Sequence, residues 1–418
     1  MDNNRTTILV LILALLFTWQ PRVIWAEESD KETADAAQKA ADKDQKDEFD
    51  LSEVVPPWEA GPLTIGGAVR VNYLWKSWDE AEDQYKDEGD VDYDTAYLNV
   101  DFDSDPWIAS GQYRYYRYEG GEDSHFIHHG WLGYRFDDEN QVQAGVNQVP
   151  FGLLPYASHN WFFQFPYYVG LEDDYDLGLK YIREQGPWNL QFGYYPTDEG
   201  DGHGVSNDSA RYSYDLAKEG LQRNKERHQV NARVAYTFEH GENSNTEVGF
   251  SGQYGLIRND ITHRDGERYA FGPHLEGNYG RWNVKLEAIR SEYEPKNPAG
   301  QSRDFVLMGA YDFPYRVASK SNMYVAGISY RLPVERWGVD AITFYDDYSY
   351  MDKRESDYSD TAQNVVGTRL DVGKFLIYVD AAMGRNHPWL GPGWTEPLAS
   401  GSDNDWHTRF NVNVGLYF

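Results

Sequence analysis

The chain contains no cysteine. That excludes a disulfide framework, thiol chemistry and a lipid anchor built on cysteine. It also lacks the run of about 20 apolar residues that a membrane-spanning helix needs. The one apolar stretch near the amino terminus, Ile8 to Phe17, is too short for that task. Basic residues are scarce as well. The 38 Lys and Arg stand against 68 Asp and Glu, a formal charge of −30. Nucleic-acid binding needs a basic footprint, and this balance excludes it.

Aromatic rings, by contrast, are abundant. With 33 Tyr, 19 Phe and 14 Trp they make up 16% of the chain. Tyr and Trp have an apolar body and a polar tip, which suits a boundary between oil and water better than a soluble core. Residues 1–26 read as a secretory signal: Arg5 gives a positive start, Ile8 to Phe17 the apolar core, and Ala26 the cleavage point. Removing Arg5, Arg22 and Asp2 takes away one net positive charge and leaves −31 on the mature chain. Residues 27–60 are rich in Ala, Asp, Glu and Lys and end near Pro56-Pro57. They read as a charged lead-in, helical or disordered, outside the folded body.

The body, residues 61–418, alternates. In the final run, Trp406, Thr408, Phe410, Val412, Val414, Leu416 and Phe418 fall on one face of a strand and Arg409, Asn411 and Asn413 on the other. Similar segments begin near Leu63, Tyr93, Trp107, Phe126, Gln141, Tyr175, Trp188, Val230, Val248, Tyr269, Trp282, Phe305, Tyr324, Val339, Val366 and Phe375. Short connectors such as Asp103-Ser104-Asp105-Pro106 and Gln185-Gly186-Pro187 alternate with long ones. Closure with both ends on the same side requires an even strand number. The short turns at Pro333–Gly338 and Asp371–Lys374 leave no crossing for Phe305–Phe313, which is assigned to an external loop or a pore-folded segment. The expectation is therefore all-β: a transmembrane antiparallel barrel of about 16 strands, a size that holds an aqueous channel. Its third external loop, Pro150 to Asp173, is so aromatic that it is expected to fold inward away from water.

The strand count, the third-loop position and the terminal Phe418 resemble the general pattern of outer-membrane porins. Within it, Gly145-Val146-Asn147-Gln148-Val149-Pro150-Phe151-Gly152 is similar to the strand end that leads into the constriction loop of the phosphate-selective porin O/P family. The resemblance implies a homotrimer in a Gram-negative outer membrane, among lipid and lipopolysaccharide, passing small hydrophilic solutes. It also implies delivery through the barrel-assembly machinery by the strand that ends in Phe418. One departure matters: that family is known for basic side chains at its constriction, whereas Pro150–Asp173 contains no Lys or Arg and runs into Glu172-Asp173-Asp174.

On this reading the constriction residues are Phe151, Tyr156, His159, Trp161, Phe163, Tyr167, Glu172 and Asp173. The pore wall carries Arg70, Arg114, Arg135, Lys180, Arg233, Asp101, Glu276 and Arg409. Asp340 and Asp346 are also counted among the inward acids, which nearly balance the inward bases. The negative excess then lies in loops such as Asp79–Asp94 and Asp346–Asp360. A loop tipped with Glu172 and Asp173 opposite wall arginines predicts a weak cation preference. Phosphate or sugar selectivity is the alternative, the latter through rings such as Trp161 and Phe163.

No cofactor or metal is expected. Asp90, Asp92, Asp94 and Asp101 mimic a calcium loop, but Thr95 replaces its glycine and Asp101 its bidentate glutamate. His125, His128 and His129 cannot all share a strand face and read as rim residues. Ser158-His159 are sequence neighbours, poor geometry for a catalytic relay, so neither a phospholipase-like barrel enzyme nor a secreted soluble β-protein is favoured.

Overall fold

A computed structural model describes residues 58–78, 88–118, 123–401 and 403–418. The signal at 1–26 and most of the charged lead-in lie outside the described residues. Twenty strands follow in order. The first ten are β1 (Trp58–Ala60), β2 (Leu63–Lys76), β3 (Asp90–Ser104), β4 (Trp107–Arg117), β5 (Asp123–Asp137), β6 (Asn140–Gln148), β7 (Tyr175–Gln185), β8 (Trp188–Asp198), β9 (Asp215–Leu216) and β10 (Asn224–Gly241). The rest are β11 (Ser244–Asn259), β12 (Asp265–Tyr279), β13 (Trp282–Glu294), β14 (Phe305–Ala310), β15 (Phe313–Ala318), β16 (Lys320–Arg336), β17 (Val339–Lys353), β18 (Thr361–Val372), β19 (Phe375–Arg385) and β20 (His407–Tyr417).

Sixteen of them close a ring of antiparallel neighbours, with β20 pairing β2 at the seam (Val71 opposite Val414, Trp75 opposite Phe410). Phe418 completes it by exchanging backbone hydrogen bonds with Gly67 at 2.8 and 3.0 Å. Glycine is needed at that point, because a Cβ on residue 67 would stand 2.4 Å from the Tyr97 carbonyl oxygen. The Phe305 segment stays out of the barrel, as the loop lengths require: β14 pairs β15 and β9 in a separate three-stranded sheet. At the other end, Trp58–Ala60 form a strand on β2 and extend the ordered body three residues before the expected start.

The burial pattern is inverted relative to a soluble protein. In the central stretches 229–238 of β10 and 248–254 of β11 the exposed residues are Val230, Val234, Phe238, Val248, Phe250 and Tyr254, whereas Gln229, Asn231, Arg233, Ser251 and Gln253 are buried. An apolar outer face and a polar inner one is the arrangement that lipid outside and polar groups inside impose on alternating strands. Beside the short turns, cross-strand ring pairs mark the edge of the outer apolar band: Trp107 with Tyr134 (5.0 Å), Trp188 with Tyr236 (4.8 Å) and Trp282 with Tyr330 (4.8 Å). Such amphipathic rings gain from sitting where oil meets water.

Two local features differ from the expected strand faces. Asp346 lies opposite the outward-facing Ile328 and Val366 and is itself exposed, so it is an outward residue and its neighbour Asp347, fully buried, is the inward one. Asp340 shares the outward parity of Asp346 and accepts the Gly373 N–H at the turn. On β5 an irregularity opposite Gln112 and Tyr113 of β4 leaves His128 as an extra residue. His128 and His129 therefore meet side by side, their Nδ1 atoms 2.8 Å apart, with His128 packed on Tyr212 and His129 on the Ser110 hydroxyl. They are packed residues, not rim histidines.

Candidate functional site

The segment at 149–174, between β6 and β7, is the centre of the site. Its apolar side chains join the largest buried cluster, which unites Phe151, Phe165, Tyr167, Tyr168 and Leu171 with Tyr212, Tyr214 and Leu216 around β9 and with Val306, Met308, Tyr315 and Val317 of β14 and β15. Burying these rings removes the exposure that the sequence made unfavourable. Gly170 turns the chain at φ +68°, where a Cβ would stand 2.1 Å from the Tyr214 carbonyl oxygen.

Polar contacts fix the segment to strands far from its own. The Gly152 N–H donates to Ser251 Oγ at 3.0 Å on β11, and Arg233 Nε on β10 donates to the Gly152 carbonyl at 2.8 Å. Lys285 on β13 donates to the Tyr156 carbonyl at 2.9 Å, and Gln363 on β18 to that of Phe163 at 2.8 Å. The densest anchor is Asp347 on β17. Its Oδ2 accepts the His159 N–H (2.7 Å), the Asn160 N–H (3.1 Å) and the Asn160 Nδ2 group (2.6 Å), and its Oδ1 meets His159 Nδ1 at 2.7 Å. The other ring nitrogen of His159 faces Asn283 Oδ1 at 2.6 Å. His159 is thus held by a carboxylate and an amide.

Rings and guanidinium groups complete the contact on the seam side. Arg70 lies over Trp161 at 4.5 Å and pairs with Asp94 at 3.2 Å, while Arg409 lies over Phe162 at 5.2 Å. Trp161 also touches Tyr378. Phe163 stacks on Tyr167 at 4.0 Å and meets Tyr156 edge-on. Arg114 covers the Tyr212 ring at 4.4 Å.

Glu172 and Asp173 are buried rather than presented at a tip. Glu172 accepts the Ala157 N–H, and burial, reinforced by Glu287, pushes its carboxyl well above the usual carboxylate range. Asp173 accepts from Tyr212 Oη, and burial raises it too, against that hydrogen bond. Of the other expected wall residues, Lys180 is buried and donates to the Gln148 carbonyl at 2.8 Å. Arg233 also contacts Glu247, and Glu276 receives Asn283 Nδ2 at 2.9 Å and stands 3.6 Å from Lys285. Asp101 accepts from Asn99. Arg135 lies at the short-turn end, bound to Asp103 and Asp105 and far from the segment at 149–174. Residues that the sequence did not single out, above all Asp347, Asn283, Gln363 and Ser251, supply the anchors. Strand parity could have shown that they face inward, but not that this segment meets them.

No protein-family model matches the chain, and no curated protein matches it. Solved structures do. The chain is similar to the outer membrane channel DcaP of Acinetobacter baumannii, at 10% identity over 87% of this chain and 99% of that one, with a TM-score of 0.56. It is similar to an anion-selective porin from Comamonas acidovorans, at 16% identity over 85% and 99%, with a TM-score of 0.54. OmpT of Vibrio cholerae in a trimer form matches at 12% identity over 86% and 100%, with a TM-score of 0.54. At these identities the likeness is one of fold, and the fold shared is the closed outer-membrane barrel of the porins.

Proposed function

We propose that the chain is an outer-membrane channel for passive diffusion of small hydrophilic solutes and ions, narrowed by the segment at 149–174 folded into the barrel. One observation carries the reading: a closed ring of 16 strands that turns its apolar rows outward and its polar rows inward. Lipid outside and water inside is the setting in which that pattern is stable. The contacts of residues 149–174 with β10, β11, β13, β17 and β18 support a segment that crosses the interior.

The inward charges are largely paired: Arg331 and Arg369 with Asp371, Lys285 with Glu276, Arg233 with Glu247, Arg70 with Asp94. The excess negative charge then belongs to the loops and favours cations at the mouth. Screening over about 8 Å at physiological salt keeps the preference weak. Phosphate selectivity is the weaker reading, because the narrowing segment carries no basic residue of its own. A homotrimer, lodged in lipid and lipopolysaccharide after export by the amino-terminal signal, belongs to the same proposal. The test is reconstitution in a planar bilayer with a salt gradient. The expected reversal potential is weakly cation-selective; clear anion selectivity would remove the charge argument, and no conductance at all would remove the channel.

A further inference from the structure

The aromatic cap is joined to the barrel at one place where the charges do not balance. Asp174 ends the segment at 149–174, Asp176 is the second residue of β7, and Asp215 begins β9. Each is at most 1% exposed, and one oxygen from each lies within 4.8 Å of the others. Asp198 stands directly opposite Asp176 in the β7–β8 pair, and Glu226 and Glu199 lie beside Asp215. These six carboxylates, with Asp208 as a seventh, face two guanidinium groups and the Lys218 ammonium, which stands 3.5 Å from Asp208. Arg268 is bound to Glu226 and Gln229. Arg211 is shared among Asp198, Glu199, Asp208 and Asp215 at 2.9–3.8 Å.

A second observation is independent of the clustering. Both oxygens of Asp174, Oδ1 of Asp176 and Oε2 of Glu226 have no hydrogen-bond partner among the described residues, although all three side chains are at most 2% exposed. Buried carboxylates are ordinarily paired, hydrogen-bonded or bound to a metal ion, because removing an unshared charge from water is costly. Here one oxygen each of Asp174, Asp176 and Asp215 converges within 4.8 Å, with the Ser213 hydroxyl beside Asp174 and Gln229 Nε2 donating to Oδ2 of Asp176 at 3.2 Å.

We propose that Asp174, Asp176 and Asp215 bind a divalent cation of the calcium class at the root of β9. An all-oxygen donor set suits a hard cation and not zinc. Calcium takes 6–8 oxygens in flexible geometry, with carboxylates binding through one oxygen or two. Magnesium keeps several waters in a near-ideal octahedron, and so closed a site leaves little room for them. The ion would tie β7 to β9. Because β9 pairs β14 (Asp215 opposite Gly309, Leu216 opposite Met308), the tie extends to the three-stranded sheet that closes the aromatic cluster.

The test uses the full chain in detergent micelles, stripped with a chelator and then titrated with calcium chloride or magnesium chloride by calorimetry. Metal content after dialysis is read by mass spectrometry. One calcium per chain, weaker magnesium binding and a higher unfolding midpoint in calcium than in chelator are expected. Asp174→Asn and Asp215→Asn should each lower calcium affinity by about tenfold or more through lost ligand charge. They should also abolish the midpoint difference, whereas Asp405→Asn on an exposed loop should change neither. If the wild-type chain takes up no stoichiometric calcium at millimolar concentration, the site holds protons rather than a metal ion and the proposal fails. That measurement decides even if both asparagine variants fail to fold. It is also independent of conductance, so it stands apart from the channel assignment.

Discussion

Replacing Asp347 by alanine removes the densest anchor of the segment at 149–174 without touching the segment itself. Four donors lose their acceptor: the N–H groups of His159 and Asn160, the His159 ring Nδ1 and the Asn160 amide. A buried donor left without a partner costs about 1–3 kcal/mol, so the two backbone groups alone cost roughly 2–6 kcal/mol. Water that enters beside the half-buried His159 pulls the figure toward the lower end. Even about 2 kcal/mol moves the equilibrium between seated and released segment by roughly 30-fold, since about 1.4 kcal/mol is a factor of ten. Asp347→Ala should therefore raise single-channel conductance, admit larger sugars in liposome swelling and expose residues 149–174 to protease. Asp347→Asn, which keeps one acceptor oxygen, should fall between the two. The folded variant still runs anomalously on an unheated detergent gel, which separates release from unfolding. Unchanged conductance, sugar cut-off and protease resistance in a folded Asp347→Ala barrel would refute the reasoning.

Three further outcomes are expected. Gly170→Ala forces a side chain into left-handed backbone, costing about 1–2 kcal/mol, and against the Tyr214 carbonyl as well; faster proteolysis of the cap than in wild type is the readout. His387 is buried, with Nε2 3.0 Å from Gln363 Oε1 and Nδ1 accepting from the Trp389 N–H, and burial together with Arg409 holds it down at about 3. Its stabilising contribution is full above the unfolded value of 6.5 and drains away as pH falls from there toward 3, so the stability difference between wild type and His387→Gln should shrink across that window. A difference constant from neutral pH down to 4 would count against it. Asp346→Leu fills an outward position between Ile328 and Val366 with an apolar side chain. It should raise the unfolding free energy in a bilayer by about 1 kcal/mol, carboxylates costing less than the roughly 2–4 kcal/mol of midplane Arg or Lys, and leave conductance unchanged.

Much of the barrel was legible because a strand has a period of two and a membrane punishes any error in it. Val412, Val414 and Leu416 could face only the outside of the barrel, and the alternation of short turns with long loops was enough to exclude Phe305–Phe313 from the wall. Where parity failed, the cause is local. The adjacent pair Asp346-Asp347 offers either phase to a reader of the sequence, yet Ile342, Phe344 and Tyr348 require the even row to face outward. The irregularity opposite Gln112 and Tyr113 puts His128 and His129 together, which no strict alternation allows.

The amino-acid sequence by itself determined the architecture: the strands had to close, and an aromatic third loop had to find cover. The tertiary structure decided what that loop touches. Glu172 and Asp173 read as exposed tips but end up buried, and Asp347, one of many inward polar residues, becomes the anchor. The reason is one of range. Alternation is a property of neighbouring residues, whereas the position of this loop is set by hydrogen bonds between residues 81 to 200 positions apart, and no local pattern records them.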